Sequence, residues 1–247
     1  MMNLFKCFLA LIFIALLSGC SNSGDVEMIS ENINNNSNPV NQAKYIKYYS
    51  VEGSTYGHWA YDSQNRLIEM TASGNKTSYT YDSQGRLIKA ETYAETDPAN
   101  KFIVYTLVYN QNMITIEQKI NYSGVFLSEI NDYIINSEGK PAKQLRHVNG
   151  GIEEMDFTYQ NGNLIRKENS YLKYEYTYDN KKNVYYHYPI GFRLIMNDDF
   201  VSDNNITHMK SYAYGQFLED IPFELTYDND GYLLRIKNKY YTQNFSY

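Results

Sequence analysis

The stretch YTYDSQGRLIKAE at 79–91 restates YDSQNRLIE, which begins at Tyr61. A chain that repeats one short word at intervals of about twenty to thirty residues builds the same supersecondary unit many times over. The word has a fixed grammar: an aromatic anchor, Asp or Asn, two or three turn residues, then an aliphatic. Clear copies lie at 61–67, 81–87, 178–184 and 227–233. Those at 109–114 and 159–164 are one residue shorter, and 135–141 and 200–206 are degenerate members.

Each word encodes a hairpin. In YDSQGRL, Asp82 opens a type I turn and Gly85 supplies the positive φ that closes it, the usual three-residue loop with a bulge. Asn65, Asn204, Gly139 and Gly231 fill the same slot, whereas Lys182 is unsuited to it. The short copy uses Asn161-Gly162, a strong two-residue hairpin signal. With 83–85 as the loop, Tyr81 faces Leu87. The same count sets Tyr61 opposite Leu67, Tyr109 opposite Ile114, Tyr159 opposite Leu164 and Tyr227 opposite Leu233. Such aromatic–aliphatic pairs contribute about 0.2–1 kcal/mol each and fix the register. Asp62, Asp82 and the arginines therefore have structural rather than catalytic work.

Return turns are expected at 73–75, 97–98, 123–124, 149–151 and 168–170. In YLKYEYTYDNKKNVYYHY at 171–188, period-two alternation predicts the pairs Tyr176–Tyr186 and Tyr174–Tyr188 around the 178–184 turn, and no segment after the N-terminal region has helical periodicity. The expected fold is all-β: an antiparallel up-and-down meander of repeated hairpins, of about sixteen strands, forming a curved sheet, barrel or half-barrel, because so wide a meander must curl or close. A two-sheet sandwich is the alternative. A membrane-spanning barrel fits poorly, since the tyrosine face also admits Glu69 and Lys89 where a lipid-facing band needs uniform apolarity.

The units YxYDxxGRL resemble the YD repeats of the Rhs family, whose long arrays form a β-sheet spiralling into a hollow shell. The resemblance covers nearly the whole of 43–247, with 79–89 matching without departure. Rhs arrays are far longer and carry a C-terminal toxin, so a toxin shell is not expected here. The N-terminus, MMNLFKCFLALIFIALLSGCSNSG, has one basic residue, an apolar run too short to span a membrane, and a small-residue close. Its Leu17-Ser18-Gly19-Cys20 resembles the lipobox of bacterial lipoproteins. That resemblance implies a signal peptide at 1–19, acylation of Cys20, and a lipidated tether at 20–42, rich in Asn and Ser, before the β domain at 43–247. Ser21 at the sorting position favours the outer membrane, facing the periplasm or the cell surface. A short YD array behind a lipobox is also similar to a Bacteroides-type lipoprotein family of unknown function, described as having a porin-like β-fold.

With Cys7 leaving in the signal and Cys20 acylated, no thiol or disulfide chemistry remains. The net charge of −6 and pI near 5.3 disfavour nucleic acid as a partner. No cofactor motif is present. His58, His147, His187 and His208 are scattered rather than closely paired, so no metal site is expected. The acidic stretches 153–156 and 197–204 read as strand ends or turns, and no glycosidase-type carboxylate pair can be assigned from spacing. What remains is 27 tyrosines and a single tryptophan. Most of the tyrosines serve the repeat, but Trp59 and Tyr61 share a face and are the candidate ligand-binding pair, an aromatic platform for a glycan or an extended peptide. The expectation is a non-catalytic binding module for a glycan or an envelope protein, attached to the membrane by its lipid. A purely structural envelope lipoprotein and a hydrolase with an unassigned carboxylate pair are the alternatives.

Overall fold

The computed structural model describes residues 44–51, 57–122 and 124–247. The expected signal peptide and tether, with Cys20, lie outside the described residues.

Seventeen strands form one antiparallel sheet, rolled into a nearly closed barrel. β1 (Tyr48–Val51), β2 (Gly57–Tyr61), β3 (Leu67–Ala72), β4 (Asn75–Tyr81) and β5 (Leu87–Ala94) lead into longer strands: β6 (Asp97–Asn110), β7 (Met113–Tyr122) and β8 (Val125–Ile135). Next come β9 (Pro141–Val148), β10 (Gly151–Gln160), β11 (Asn163–Glu168), β12 (Leu172–Lys182) and β13 (Asn204–Ala213). The last four are β14 (Gln216–Pro222), β15 (Glu224–Tyr227), β16 (Leu233–Lys237) and β17 (Thr242–Ser246). Sequence neighbours pair from β1 to β14 and from β15 to β17, and β1 closes the ring on β17. β14 and β15 are two halves of one run, broken only at Phe223. Phe223 N–H still donates to Thr207 O of β13 at 2.8 Å, while β15 pairs with β16. Pairing thus passes from one neighbour to the other beside Pro222, which has no N–H to donate. Lys44, just ahead of β1, reaches the turn between β15 and β16, with Asp228 at 3.0 Å and Asp230 at 2.7 Å.

Five of the expected hairpin pairs are present: Tyr81 opposite Leu87, Tyr61 opposite Leu67, Tyr109 opposite Ile114, Tyr159 opposite Leu164 and Tyr227 opposite Leu233. The geometry explains each letter of the word. Asp82 Oδ1 accepts from the N–H groups of Gln84 and Arg86 at 2.9 Å each, and Oδ2 accepts from Arg86 Nε at 2.7 Å. Asp62, Asn136 and Asp228 accept from the same two backbone positions in their own turns. These donors hold the Asp82 carboxyl below its ordinary range, against an opposing effect of desolvation. The anchor tyrosine then reaches the preceding unit: Tyr81 OH donates to Leu67 O at 2.7 Å, Tyr109 to Leu87 O at 2.8 Å, Tyr178 to Leu164 O at 2.6 Å and Tyr247 to Leu233 O at 2.9 Å. Arg66 and Arg86 each close their own turn and lie over the ring of the next anchor, Tyr81 and Tyr109. The word repeats because each copy is the docking site of the next. Tyr109→Phe is therefore expected to lower stability by about 0.5–1.5 kcal/mol, the net worth of one hydrogen bond, as a shift of the urea midpoint. An unchanged midpoint would mean that the ladder carries no weight.

A bulge follows each three-residue turn, at Ile68 and Ile88, and shifts the register by one residue. This corrects the reading of the tyrosine face. Strict alternation puts Glu69 and Lys89 beside the tyrosines, but the extra residue turns them to the opposite face, where Glu69 meets Lys76 and Lys89 meets Glu91. Met70, Ala90 and Thr92 are buried instead. The inner wall is aromatic and aliphatic, and these charges stand on the outer wall.

The second correction concerns 178–206. Tyr176 faces Met209 and Tyr174 faces Ser211, not Tyr186 and Tyr188, and Tyr178 faces Ile206 rather than Val184. Two expected hairpins are one, with an insertion in its turn. Asp179 Oδ1 accepts from Lys181 N–H and, across the insertion, from Asn205 N–H at 3.2 Å, as Asp82 accepts from Arg86. Phe200 lies in a 3-10 helix (Asp198–Val201), and a seven-residue helix α1 (Ile190–Met196) precedes it, so the expectation of no helix fails here. The inserted segment, 183–203, supplies Tyr185, Tyr188, Phe192, Leu194 and Val201 to the hydrophobic core shared with the barrel wall. One return turn also moves: Ala94 pairs with Asp97, so the corner is Glu95-Thr96 and not Asp97-Pro98.

Candidate functional site

The expected platform residues point inward. Trp59 is only 3% exposed, with Tyr185 stacked 6.5 Å away, Tyr188 edge-on at 5.6 Å and Phe192 edge-on at 5.9 Å. Tyr61 is half-buried; its hydroxyl donates to Ile46 O at 2.7 Å and meets Tyr188 OH at 2.6 Å. Burial pushes the Tyr61 phenol well above its usual range. The two rings share a face, as the alternation implies, but that face packs on the inserted segment. Gly191 of α1 marks how closely: a Cβ there would lie 2.3 Å from Tyr109 OH and 2.7 Å from Leu107 Cδ2.

The polar centre of the molecule sits where the inserted segment meets β11 and β12. Lys167 Nζ donates to Asp198 Oδ1 at 2.7 Å and to Asp199 Oδ1 at 2.6 Å, with all three side chains 12–14% exposed. Tyr176 OH donates to the same Asp199 oxygen at 2.8 Å. Two carboxylates on one ammonium leave one negative charge in surplus. Lys167 is accordingly held protonated far above its usual range by the two carboxylates, against desolvation. Asp198 is pushed up by burial, which with Asp199 outweighs the attraction of Lys167. Arg193 of α1 is lowered to about 10 by burial and gives its donors to Phe200 O and Ser202 O at 2.7 and 2.5 Å. These groups tie the inserted segment to the wall and to itself.

Chemically, the Lys167 cluster is a carboxylate pair with a cation, and each carboxylate gives its Oδ1 to Lys167, with Tyr176 sharing that of Asp199. A small cleft of about 30 Å³, lined among others by Val184, Tyr185, Phe200 and Tyr241, has room for water but not for a substrate. A recess of about 570 Å³ opens elsewhere, beside Glu153, Glu154, Asp156, Glu168 and Tyr171. Its acids are already met by cations: Lys143 lies 2.5 Å from Glu154 and 3.1 Å from Asp156, Arg146 3.8 Å from Glu153, and Arg166 3.0 Å from Glu168. Among the described residues no group of three His, Cys, Asp or Glu side chains is placed to hold a metal.

The Lys167 cluster was half legible. The acidic run at 197–204 stands out in the sequence, but nothing in the spacing connects it to a lysine thirty residues earlier. A second feature escaped sequence reading altogether. At the end of the barrel away from the aspartate turns, residues 124–128 and 214–218 are exposed without interruption, and they include Val125, Phe126, Leu127, Phe217 and Leu218 at 58–73%. The signal was there as an apolar pair or triplet beside a glycine turn, in GVFL and GQFL.

Residues 61–98, which hold the two clearest words, match the family described as RHS Repeat. The chain carries Rhs-like repeats. No curated protein matches the sequence as a whole. Among solved structures, a porin-like protein from Bacteroides vulgatus aligns over 83% of this chain and 99% of its own, with TM-score 0.45 and 10% identity. A porin-like protein from Bacteroides uniformis aligns over 81% and 97%, with TM-score 0.38 and 12% identity. The Tc holotoxin pore of Photorhabdus luminescens aligns over 76% of this chain but 11% of its own, with TM-score 0.22 and 11% identity.

Proposed function

We propose that this is a lipid-anchored outer-membrane protein acting as a non-catalytic interaction module. The observation that supports this most is the solid interior. The inserted segment shares its core with the wall, and the largely buried carboxylate pair is bonded through its Oδ1 atoms to Lys167 and Tyr176. A hydrolase reading would need that pair free and reachable. The partner, a glycan or an envelope protein, is then met on the outside of the barrel, and acyl chains on Cys20 hold the module at the membrane. No residue of the recess or of the wall is assigned to that partner.

The test has two parts. Mass analysis of the mature protein should find acyl chains on Cys20 and the signal at 1–19 removed. An unmodified N-terminus ends the anchor reading. The full-length protein should then show saturable binding on a broad glycan array or recover a defined partner from envelope extract. If both come back empty, the interaction reading falls to the structural one, in which the tyrosine ladder serves only the fold. Deletion would then change envelope integrity with no ligand lost.

A further inference from the structure

We propose that the rim away from the aspartate turns docks into the bilayer surface, with Phe126, Leu127, Phe217 and Leu218 as its inserting side chains. The two ends of the barrel differ at two hairpins. At one end the corners are Ser63-Gln64-Asn65, Ser83-Gln84-Gly85 and Asn229-Asp230-Gly231, with the aspartates beneath them and no apolar tip. At the other, the β7–β8 and β13–β14 hairpins carry large apolar side chains into solvent, Phe126 at 73% and Leu218 at 59%. Soluble proteins rarely leave such clusters uncovered unless something binds there.

The pattern also says what kind of partner. Successive strand residues point to opposite faces, yet Val125, Phe126 and Leu127 are all exposed, and so are Phe217 and Leu218. At the β7–β8 tip Val125 and Leu127 stand on one face and Phe126 on the other, so both faces are apolar and bare; at the β13–β14 tip Leu218 is the extra residue of a bulge beside Phe217, and the pair widens the apolar tip without alternating. A flat protein surface would cover one face and leave the other in water; a fluid apolar medium covers both. The backbone is suited to that medium. At the β7–β8 tip, Tyr122 pairs with Val125 and Asn121 with Phe126, so the strand groups are already bonded to each other.

The position of the tether allows it. Lys44 is bonded to Asp228 and Asp230 at the aspartate-turn end. The chain from Cys20 to Lys44 has more residues than β6, the longest strand at 14. Drawn out at about 3.3–3.6 Å per residue, it spans the barrel from end to end. The rim can thus rest on the membrane that holds the acyl chains, which leaves the aspartate-turn end and the wall to a partner. This contact rests on the anchor reading only for its proximity to lipid. The net charge of −6 predicts that zwitterionic lipid serves better than anionic lipid.

The full-length protein in phosphatidylcholine vesicles tests it, with one tryptophan added as Phe126→Trp or, for the other end, Gln84→Trp. Native Trp59 is buried and gives a constant background. Acyl chains brominated near the headgroup should remove about half or more of the added emission at position 126, for insertion of about 5–10 Å, and leave position 84 unchanged. Flotation of the vesicles reads the anchor separately. Protein that floats with position 126 unquenched overturns the docking and keeps the anchor. Quenching at 126 on adding vesicles to protein that does not float alone keeps the docking and removes the anchor. Emission at 126 shielded from aqueous iodide yet untouched by brominated lipid overturns the proposal in favour of a protein or a second copy on the rim.

Discussion

Replacing Lys167 by methionine should destabilise the protein by about 3–5 kcal/mol, the cost of stranding a largely buried charge by removing its partner. Replacing Asp198 by asparagine should cost little and can stabilise. The asymmetry follows from counting charges around one atom. Nζ of Lys167 is bonded to Asp198 at 2.7 Å and to Asp199 at 2.6 Å, and Tyr176 OH supports Asp199. Methionine keeps the length of the stem but leaves two carboxylates facing each other with only a phenol between them and an apolar wall. Asparagine at 198 still offers an oxygen to the ammonium, and it removes the surplus negative charge, which leaves a one-to-one pair. The pH dependence carries the same signature. Because the carboxyl of Asp198 is raised in the folded state, folding takes up a proton there. Stability from this site is lower above the raised value, rises as pH falls through it, and is fully recovered below the ordinary carboxylate range. Asp62, Asp82 and Asp228 are lowered and act in the opposite sense: their stabilisation is present above the ordinary carboxylate value and is lost as pH falls through their own. Urea midpoints across the acid range, for the wild type and Asp198→Asn, separate the two. If the wild type loses stability monotonically from neutral pH and the asparagine variant tracks it, the buried cluster carries no surplus charge.

The fold was legible where local chemistry decides it. Aspartate beside a positive-φ residue, or a two-residue loop such as Asn161-Gly162, closes a turn without help from the rest of the chain, so the register of five hairpins could be counted off, down to Tyr227 opposite Leu233. The bulge at Ile68 and Ile88 follows from the turn type, and it reverses the simple alternation that would set Glu69 and Lys89 on the tyrosine face. The inserted segment was not legible, for two physical reasons. Helix α1 is buried on nearly every side, from Gly191 to Ile195, so it shows no amphipathic stripe, and seven residues are too few to reveal a period. VYYHY alternates like a strand, but its rings are sorted by the barrel interior and not by a pleat. Asn183 Oδ1 accepts from Tyr185 N–H at 2.8 Å and starts a turn instead. Lys182 in a slot that wants glycine or asparagine was the one local hint, and it falls where the chain leaves the hairpin. The Lys167 cluster depends wholly on that insertion and so could not be read before it.

Trp59→Ala should likewise cost about 3–5 kcal/mol, as for other buried aromatic residues cut back to alanine. This is the opposite of what a ligand platform predicts, where affinity falls while the fold survives. Trp59 is enclosed by Tyr185, Tyr188 and Phe192, the last of them fully buried on α1, so the cavity left by the indole would open between the wall and the inserted segment. Those neighbours are themselves held by a chain of contacts, Tyr188 to Phe192 at 4.8 Å and Tyr185 to Phe200 at 4.7 Å, and cannot close in without moving the helix. Trp59→Phe separates packing from polarity. Nε1 of Trp59 is buried with no partner, so phenylalanine gives up no hydrogen bond and, leaving a smaller cavity, should cost clearly less than alanine. Chemical denaturation followed by near-ultraviolet dichroism reads both variants. The decisive comparison sets partner binding against fraction folded. If binding by Trp59→Ala falls only as far as its folded fraction falls, the indole is a core residue that the partner never touches. If binding disappears while the urea midpoint stays put, the ring must swing outward in solution, and the packing of the inserted segment against the wall is not the resting state of the barrel.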